Sequence, residues 1–386
     1  MTTFAETEER QELRRQVAKL AGTYGRDWFA RQARAGEKST ELWLEIGRAG
    51  YLGINIPEEY GGGGGGIGDI AAVCEELAAQ GCPLLLMVVS PAICGTVITR
   101  FGTEEQKRRW LPGIADGTST MAFAITEPDA GSNSHRITTT ARRDGDDWLL
   151  TGRKVYISGV DEAENVLVVA RTEDAKTGNL KPCLFVVPTD AAGFEAHEIA
   201  MEIVSPEKQF SVFLDDVRLP ADALVGDEDA GIIQLFAGLN PERIMAASFA
   251  TGLARYALDK AVAYARERTV WKAPIGSHQG VAHPLAESHI ELELARLMTQ
   301  KAAALCDAGD DMGAGEAANM AKYAAGEACV KAVDTAVHVH GGNGATQEYG
   351  VAGLLVASRV TRIAPVSREM ILNFVAQHTL GLPKSY

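Results

Sequence analysis

The chain has 386 residues, too many for one small core, and the length points to two or three domains. Hydrophobic residues make up 46% and charged residues 23%, an ordinary globular composition with enough apolar side chains for a large core. A formal charge of −14 lacks the basic face that neutralising phosphates requires, which excludes nucleic acid as a main partner.

No signal peptide is expected, because Thr2–Arg15 is polar and charged. The longest apolar run, Pro83–Val89, is far short of a membrane span. The six cysteines are scattered, mostly in apolar surroundings and without metal-ligand spacing. They read as buried free thiols in a reducing compartment, so a cytoplasmic protein is expected.

Glu6–Ala35 reads as a helix with Leu13, Val17 and Leu20 on one side, and Ser39-Thr40-Glu41 can cap a second that runs to Gly50. Six glycines, Gly61–Gly66, predict a mobile loop; a phosphate cradle there lacks the lysine and Ser/Thr of a P-loop. Asp69–Gln80 and Ser90–Phe101 predict two more helices. Thr103 with Glu105 or Gln106 behind it is a helix N-cap. From Met121 to Gly226 the texture turns to strand, with Trp148–Ser158, Val166–Ala170, Leu184–Pro188 and Phe210–Pro220 as β-rich runs between turn residues. After Gly231 the helical pattern returns. Ile244–Arg266 is proline-free and rich in alanine, and Ile290, Leu294, Leu297 and Met298 form one apolar face of a long helix. Glu316–Val339 predicts another, stopped at Gly341-Gly342, so four or so long helices make a bundle. The domains expected are 1–120 (helical), 121–230 (β) and 231–386 (helical bundle).

The stretch Met121–Asn133 holds the first chemistry. An apolar run breaks at Glu127-Pro128-Asp129, Gly131 permits close backbone approach, and Ser132 and Asn133 add short polar side chains. A strand end that delivers Thr126 and a small polar loop suits a flat heterocycle with a phosphate tail. An ordinary strand-to-loop exit fits the same residues.

Phe123-Ala-Ile-Thr-Glu-Pro-Asp-Ala-Gly-Ser-Asn133 resembles the flavin-contacting signature of the acyl-CoA dehydrogenase family. Gly53-Ile-Asn-Ile-Pro-Glu-Glu-Tyr-Gly-Gly62 and Phe101-Gly-Thr-Glu-Glu-Gln-Lys-Arg-Arg-Trp-Leu-Pro112 resemble further family phrases, in family order. The resemblance implies an α+β, mostly α fold: a helical domain, a small β-barrel and a four-helix bundle. It implies FAD as cofactor, an acyl-CoA substrate, an electron-transfer flavoprotein as acceptor and a homotetramer built as a dimer of dimers. Phe123, Ile125 and Thr126 would lie along the flavin, and Ser132 would touch cofactor and substrate. Tyr156 and Ser158 match residues that stack on and bond the isoalloxazine, although Tyr156 also reads as a core strand aromatic.

Arg268-Thr-Val-Trp-Lys-Ala-Pro-Ile-Gly-Ser-His-Gln279 resembles the segment that reaches across a subunit interface to the FAD pyrophosphate and adenine. Arg268 would offer its fork to phosphate, Trp271 packing and Gln279 hydrogen bonds. Val270 and Lys272 depart from the common threonine and glycine. In His338-Val-His-Gly-Gly-Asn-Gly344, Gly341 and Gly342 allow close approach to a pyrophosphate or simply cap a helix. His338 stands where the family usually has glutamine. Histidines two apart on a helix face different ways, so no metal site is expected.

Many family members carry a catalytic glutamate late in the chain. Here that position is Pro365, within Ala364-Pro-Val-Ser-Arg-Glu369, while Ser367 and Glu369 match cofactor contacts. Leu239-Asn-Pro-Glu-Arg243 instead places Glu242 where the isovaleryl and some long-chain branches keep their base, with Asn240 and Arg243 beside the substrate. A first-turn carboxylate favoured by the helix dipole is the other reading of Glu242. The resemblance implies oxidation of a saturated acyl-CoA to the trans-2-enoyl-CoA. A non-dehydrogenating thioester lyase or desulfinase, or a non-enzymatic binding protein on the same scaffold, are the alternatives.

Overall fold

Helices α1 (Glu8–Ala35) and α2 (Thr40–Arg48) open the computed structural model, which describes residues 6–173, 178, 180–228 and 231–384. Residues 2–5 of the polar opening stretch lie outside those described. Thr7 caps α1 by accepting from Arg10 N at 3.2 Å, and Gly25, at φ 68°, kinks the helix where a side chain would be strained. Ser39 precedes α2 but makes no side-chain cap bond.

The glycine run is not the loose loop its composition predicts. Gly63 N donates to Gly53 O at 3.0 Å, Gly64 N to Ile56 O at 2.9 Å and Gly65 N to Ile54 O at 2.7 Å. A Cβ on Gly62 would lie 2.1 Å from the Ile56 carbonyl oxygen, so these glycines serve close backbone packing. Their amides are committed to the chain itself and do not form a phosphate cradle. Helix α3 (Ile67–Ala79) follows, its first amides capped by Asp307, which accepts from Ile67 N (2.6 Å) and Gly68 N (3.0 Å). The expected helix at 90–101 divides into a π-helical turn, Val88–Gly95, and α4 (Thr96–Phe101). In α5 (Glu104–Asp116) the cap is a reciprocal box: Gln106 N donates to Thr103 Oγ1 (3.3 Å) and Thr103 N to Gln106 Oε1 (2.8 Å).

The middle of the chain forms β1 (Met121–Ala124), β2 (Thr140–Asp144), β3 (Asp147–Ser158), β4 (Asn165–Glu173), β5 (Leu180–Pro188), β6 (Phe194–Ile199), β7 (Gln209–Leu219) and β8 (Leu224–Val225). Their order is β6-β7-β3-β2-β4-β5-β8, with β1 parallel to β4. A closed barrel was expected; the sheet is open, with β6 and β8 as its edges among the described residues. The physical reason is local. β2 and β4 pair only at Thr140–Arg171, and β8 is two residues long, too short to carry a closing ladder.

The last third holds α6 (Gly231–Glu267), the hairpin β9 (Thr269–Val270) and β10 (Ala273–Pro274), α7 (Gln279–Asp307), α8 (Asp311–His340), α9 (Leu355–Ile363) and α10 (Arg368–Phe374). Three helices are long where four or so were expected. Ala318, Ala321, Ala325, Ala328, Ala332 and Ala336 recur three or four apart along α8 and are buried, which lets α6 and α7 pack closely against it. On α7 the chain buries Leu285, Leu292, Ala295 and Ala302. The larger stripe picked out by periodicity, Ile290, Leu294 and Leu297, faces away from this core and is exposed.

Candidate active site

One group of site residues gathers at the end of β1. Phe123 is buried in the strand, and Ile125 and Thr126 follow, half-buried. Thr126 O accepts from Val155 N at 3.0 Å, which docks the loop on β3. Lys154, fully buried, donates from Nζ to Ile125 O (3.0 Å) and Glu127 Oε1 (2.9 Å). Glu127 also accepts from Thr138 N (2.5 Å), Thr138 Oγ1 (2.8 Å) and Thr139 N (3.0 Å). Burial opposes ionisation of Glu127, but the bonds from Thr139 and Thr138 and the Lys154 charge outweigh it and hold the carboxyl down at about 2.

Tyr156 lies at φ 59°, in the irregular register between Lys154 and Ile157, and is 60% exposed. A core strand aromatic it is not. A non-glycine residue held there costs on the order of 1–3 kcal/mol, and such strain gathers at functional sites. Ser158 pairs with Gln209 at 2.9–3.1 Å, and Ser132 is exposed on the loop.

A second group lies elsewhere. Arg268 follows α6, exposed and without an ion pair among the described residues. Trp271, at φ 50° and 84% exposed, tips the β9–β10 hairpin, and Gln279 starts α7 in solvent. Tyr264 joins this region to the glycines: its O accepts from Arg268 N (2.9 Å), its hydroxyl from Asn343 Nδ2 (3.1 Å), and its ring stacks on His340 at 4.4 Å. Gly341 ends α8 as a cap, yet a Cβ on it or on Gly342 would meet nothing within 4 Å. Room for a close ligand is therefore present beside the cap. His338 is exposed whereas His340 is buried on Ala336 O at 2.7 Å, so the two do not converge. Neither the hairpin nor the glycine turn packs substantially against β1 or β3.

The third group surrounds Glu242 on α6. Its carboxylate is only half-buried but takes no hydrogen bond or ion pair among the described residues. Burial pushes it up to about 7, against the opposing pull of Arg243 and Lys322. Arg243 is buried, donates from Nη1 to Leu239 O at 2.9 Å and leaves Nε without a partner. Lys322 of α8 is 2% exposed and donates to Val366 O at 2.5 Å. Burial drives the Cys94 thiol well up, with Glu242 near enough to add to it, and Cys94 Sγ lies against Met121 O and Ala122 O of β1. The π-helical turn thus connects Glu242 to the β1 group. An unpartnered carboxyl near neutrality, flanked by two cations, is equipped to accept a proton at working pH.

Other expected site residues sit differently. Asn240 donates to Asp311 O at 3.2 Å and so ties α6 to the start of α8. Ser367 caps α10 by accepting from Met370 N at 3.3 Å, and Glu369 is exposed beside Arg368 at 3.5 Å. Pro365, in a cis peptide with Ala364, presents neither carboxylate nor N–H.

Models of the acyl-CoA dehydrogenase N-terminal, middle and C-terminal domains match residues 7–118, 122–217 and 229–380. The chain belongs to the acyl-CoA dehydrogenase family. The family is one of FAD-dependent oxidoreductases, so the chain is an enzyme, with helical N- and C-terminal parts around a sheet domain. It is 66% identical over 385 residues to the acyl-CoA dehydrogenase FadE12 of Mycobacterium tuberculosis, covering 100% of this chain and 99% of the relative. Butyryl-CoA dehydrogenase of Megasphaera elsdenii superposes with a TM-score of 0.92 at 27% identity, covering 98% of this chain and 100% of that one. A glutaryl-CoA dehydrogenase of Mycobacterium smegmatis in complex with FADH2 gives 0.91 at 28%, covering 99% and 96%.

For an acyl-CoA dehydrogenase, the residues present fit the cofactor. The outward Tyr156 beside Thr126 suits a flat ring, and the open ground over Gly341-Gly342 near the free Arg268 suits a diphosphate. Sequence reading passed over Lys154, Glu127, Cys94 and Lys322. A signal existed for two of them. Lys154 continues the inward alternation of Trp148 and Leu150, and Lys322 lies on the buried stripe of α8 between Ala318 and Ala325.

Proposed function

We propose that this enzyme oxidises a saturated acyl-CoA to the trans-2-enoyl-CoA, with Glu242 removing the α proton. The observation that carries this reading is the Glu242 carboxyl itself: unpartnered, held at about 7, and linked through Cys94 to the strand that delivers Phe123 and Thr126. Its proton affinity near neutrality lets it stay ionised in part and still bind the proton it takes. Arg243, with a free buried Nε, offers charge to the substrate side of the same helix. Bound FAD supplies the hydride acceptor for the β carbon. Ile125, Thr126, Tyr156 and Ser158 would hold its ring, while Arg268, Trp271, Gln279, His338 and Gly341-Gly342 would hold its diphosphate and adenine in a neighbouring subunit. That the hairpin and the glycine turn do not pack substantially against β1 or β3 supports a cofactor shared between the subunits of a homotetramer. The exposed Ile290, Leu294 and Leu297 supply an apolar face for such contacts.

Within this reading the domain limits are 1–120, 121–230 and 231–386, and an electron-transfer flavoprotein is the acceptor. Among the described residues no two cysteines form a disulfide, which favours a reducing compartment, hence the cytoplasm. Among the described residues, no helix is long and apolar enough to cross a membrane.

Pro365 favours one competing reaction. In the family the amide at that position helps hold the thioester carbonyl, and losing one such donor costs ~2.7–4 kcal/mol in a transition state. A thioester lyase that builds no enolate-like charge on the carbonyl oxygen would tolerate the loss. Anaerobic mixing of the FAD-loaded enzyme with a panel of acyl-CoAs decides between them. Rapid flavin bleaching by wild type, abolished in Glu242→Gln with FAD and acyl-CoA still bound, supports dehydrogenation. Bleaching that is equally fast in the variant rejects Glu242, and a wild type that never bleaches rejects dehydrogenation.

A further inference from the structure

The segment that carries Pro365 is held by one face of α8. Glu327 accepts from Arg368 Nε at 2.9 Å and pairs with Arg362 at 2.9 Å. Gly326 packs so closely that a Cβ on it would lie 2.9 Å from Thr361 O. One turn earlier, Lys322 Nζ reaches Val366 O at 2.5 Å, the residue directly after Pro365. Successive positions 322, 326 and 327 thus grip residues 361–368.

Lys322 is an expensive way to hold a carbonyl. A buried ammonium with one neutral partner is strongly disfavoured unless opposite charge lies near. Burial and the nearby Arg243 charge hold the ammonium down at about 8, against three carboxylates that face it: Glu242, Glu369 and Glu327. Glu327 is engaged by Arg362 and Arg368, and Glu369 lies in solvent beside Arg368. The one carboxylate free to answer Lys322 is Glu242, which has no other partner among the described residues save the neighbouring charge of Arg243.

We propose that Lys322 is a positioning residue for proton abstraction, which anchors the Pro365 segment through Val366 O while its charge keeps Glu242 ionised. The inference rests on the reading of Glu242 as the base. The groups that face Glu242 are Arg243 on its own helix, Lys322 from α8 and Cys94 from the π-helical turn. Burial raises Glu242 and the two cations pull it back, so deleting one cation must raise it further.

The test is the pH dependence of flavin reduction by a bleaching acyl-CoA, measured on FAD-loaded wild type and on Lys322→Met, Lys322→Gln and Lys322→Arg. A nearby cation shifts a carboxyl by about 1 unit or more. Lys322→Met and Lys322→Gln should therefore move the acid limb up by ~1 unit, slow reduction about fivefold at pH 7 and recover near pH 9. Lys322→Arg, which keeps the charge, should leave the limb near its wild-type position. A limb unmoved in both neutral variants, with Glu242→Gln inactive, overturns the role of Lys322 and spares the base. A fully active Glu242→Gln instead rejects the base assignment and this inference with it. Loss of FAD from both neutral variants, with Lys322→Arg loaded, would show that the lysine serves folding and would also overturn the proposal.

Discussion

Glu127→Gln should destabilise the enzyme by about 3 kcal/mol at pH 7. The folded carboxyl sits at about 2, against an ordinary value of 4.5. That gap is roughly 2.5 units at about 1.4 kcal/mol per unit, and the desolvation that holds Lys154 down at about 8 offsets part of it, which leaves about 3 kcal/mol. It agrees with the 3–5 kcal/mol typical of breaking a buried ion pair, which is what the substitution does to Lys154. The sign follows from the depression: the contribution is complete above the unfolded value and is lost as pH falls through the folded one. Wild type and variant should therefore differ most near neutrality and converge as pH drops, with roughly 1 kcal/mol left at pH 3. Urea unfolding followed by far-UV circular dichroism, at pH 7 and at several lower values, measures the difference. A variant within about 0.5 kcal/mol of wild type at pH 7, or a gap that ignores pH, would refute the reasoning. Because Lys154 also holds Ile125 O, loosening this pair should weaken FAD retention as well.

Two further outcomes follow from the geometry. Arg268→Ala should lose FAD during gel filtration while its circular dichroism stays native, and a wild-type monomer that retains full FAD would contradict the shared-cofactor reading. Gly62→Ala should cost about 1–3 kcal/mol in urea unfolding, since its Cβ would sit 2.1 Å from Ile56 O, and a neutral result would mean the glycine run yields freely.

Most of the helical architecture was legible because its signals are local. Thr103 with Gln106, and Gly341 after α8, are caps whose chemistry reads directly from residue type. Closure of the sheet was not legible, since it depends on strand pairings such as Thr140–Arg171 that no local pattern encodes. Nor was the fate of the glycine run, because density of glycine signals both looseness and tight backbone packing, and only the partners Gly53, Ile54 and Ile56 distinguish them. The α7 stripe was visible, but periodicity does not say whether an apolar face meets its own core or another surface. In the site, Phe123 and Thr126 were assigned by resemblance, since no local pattern marks a strand end as a flavin contact. Ser367 and Asn240 were assigned the same way; the Ser367 hydroxyl accepts within a helix cap, and Asn240 Nδ2 ties α6 to the start of α8.

What the charged interior shares is a division of labour between elements that hold and elements that act. Lys154 and Glu127 satisfy one another and fix a loop, so neither has spare capacity for chemistry. Glu242 and Arg243 are the reverse case, a carboxylate without a partner and a guanidinium with a buried nitrogen unused. A buried guanidinium nitrogen left unmet, as in Arg243, is costly in a folded chain, and such groups gather where a ligand or a reaction uses them. On the proposed reading, an acid on α6 frees the late segment from supplying one, so a proline at 365 leaves the site with a carboxylate. The late segment still has to be held in register with α6, and Lys322 is the side chain that touches the one and faces the other.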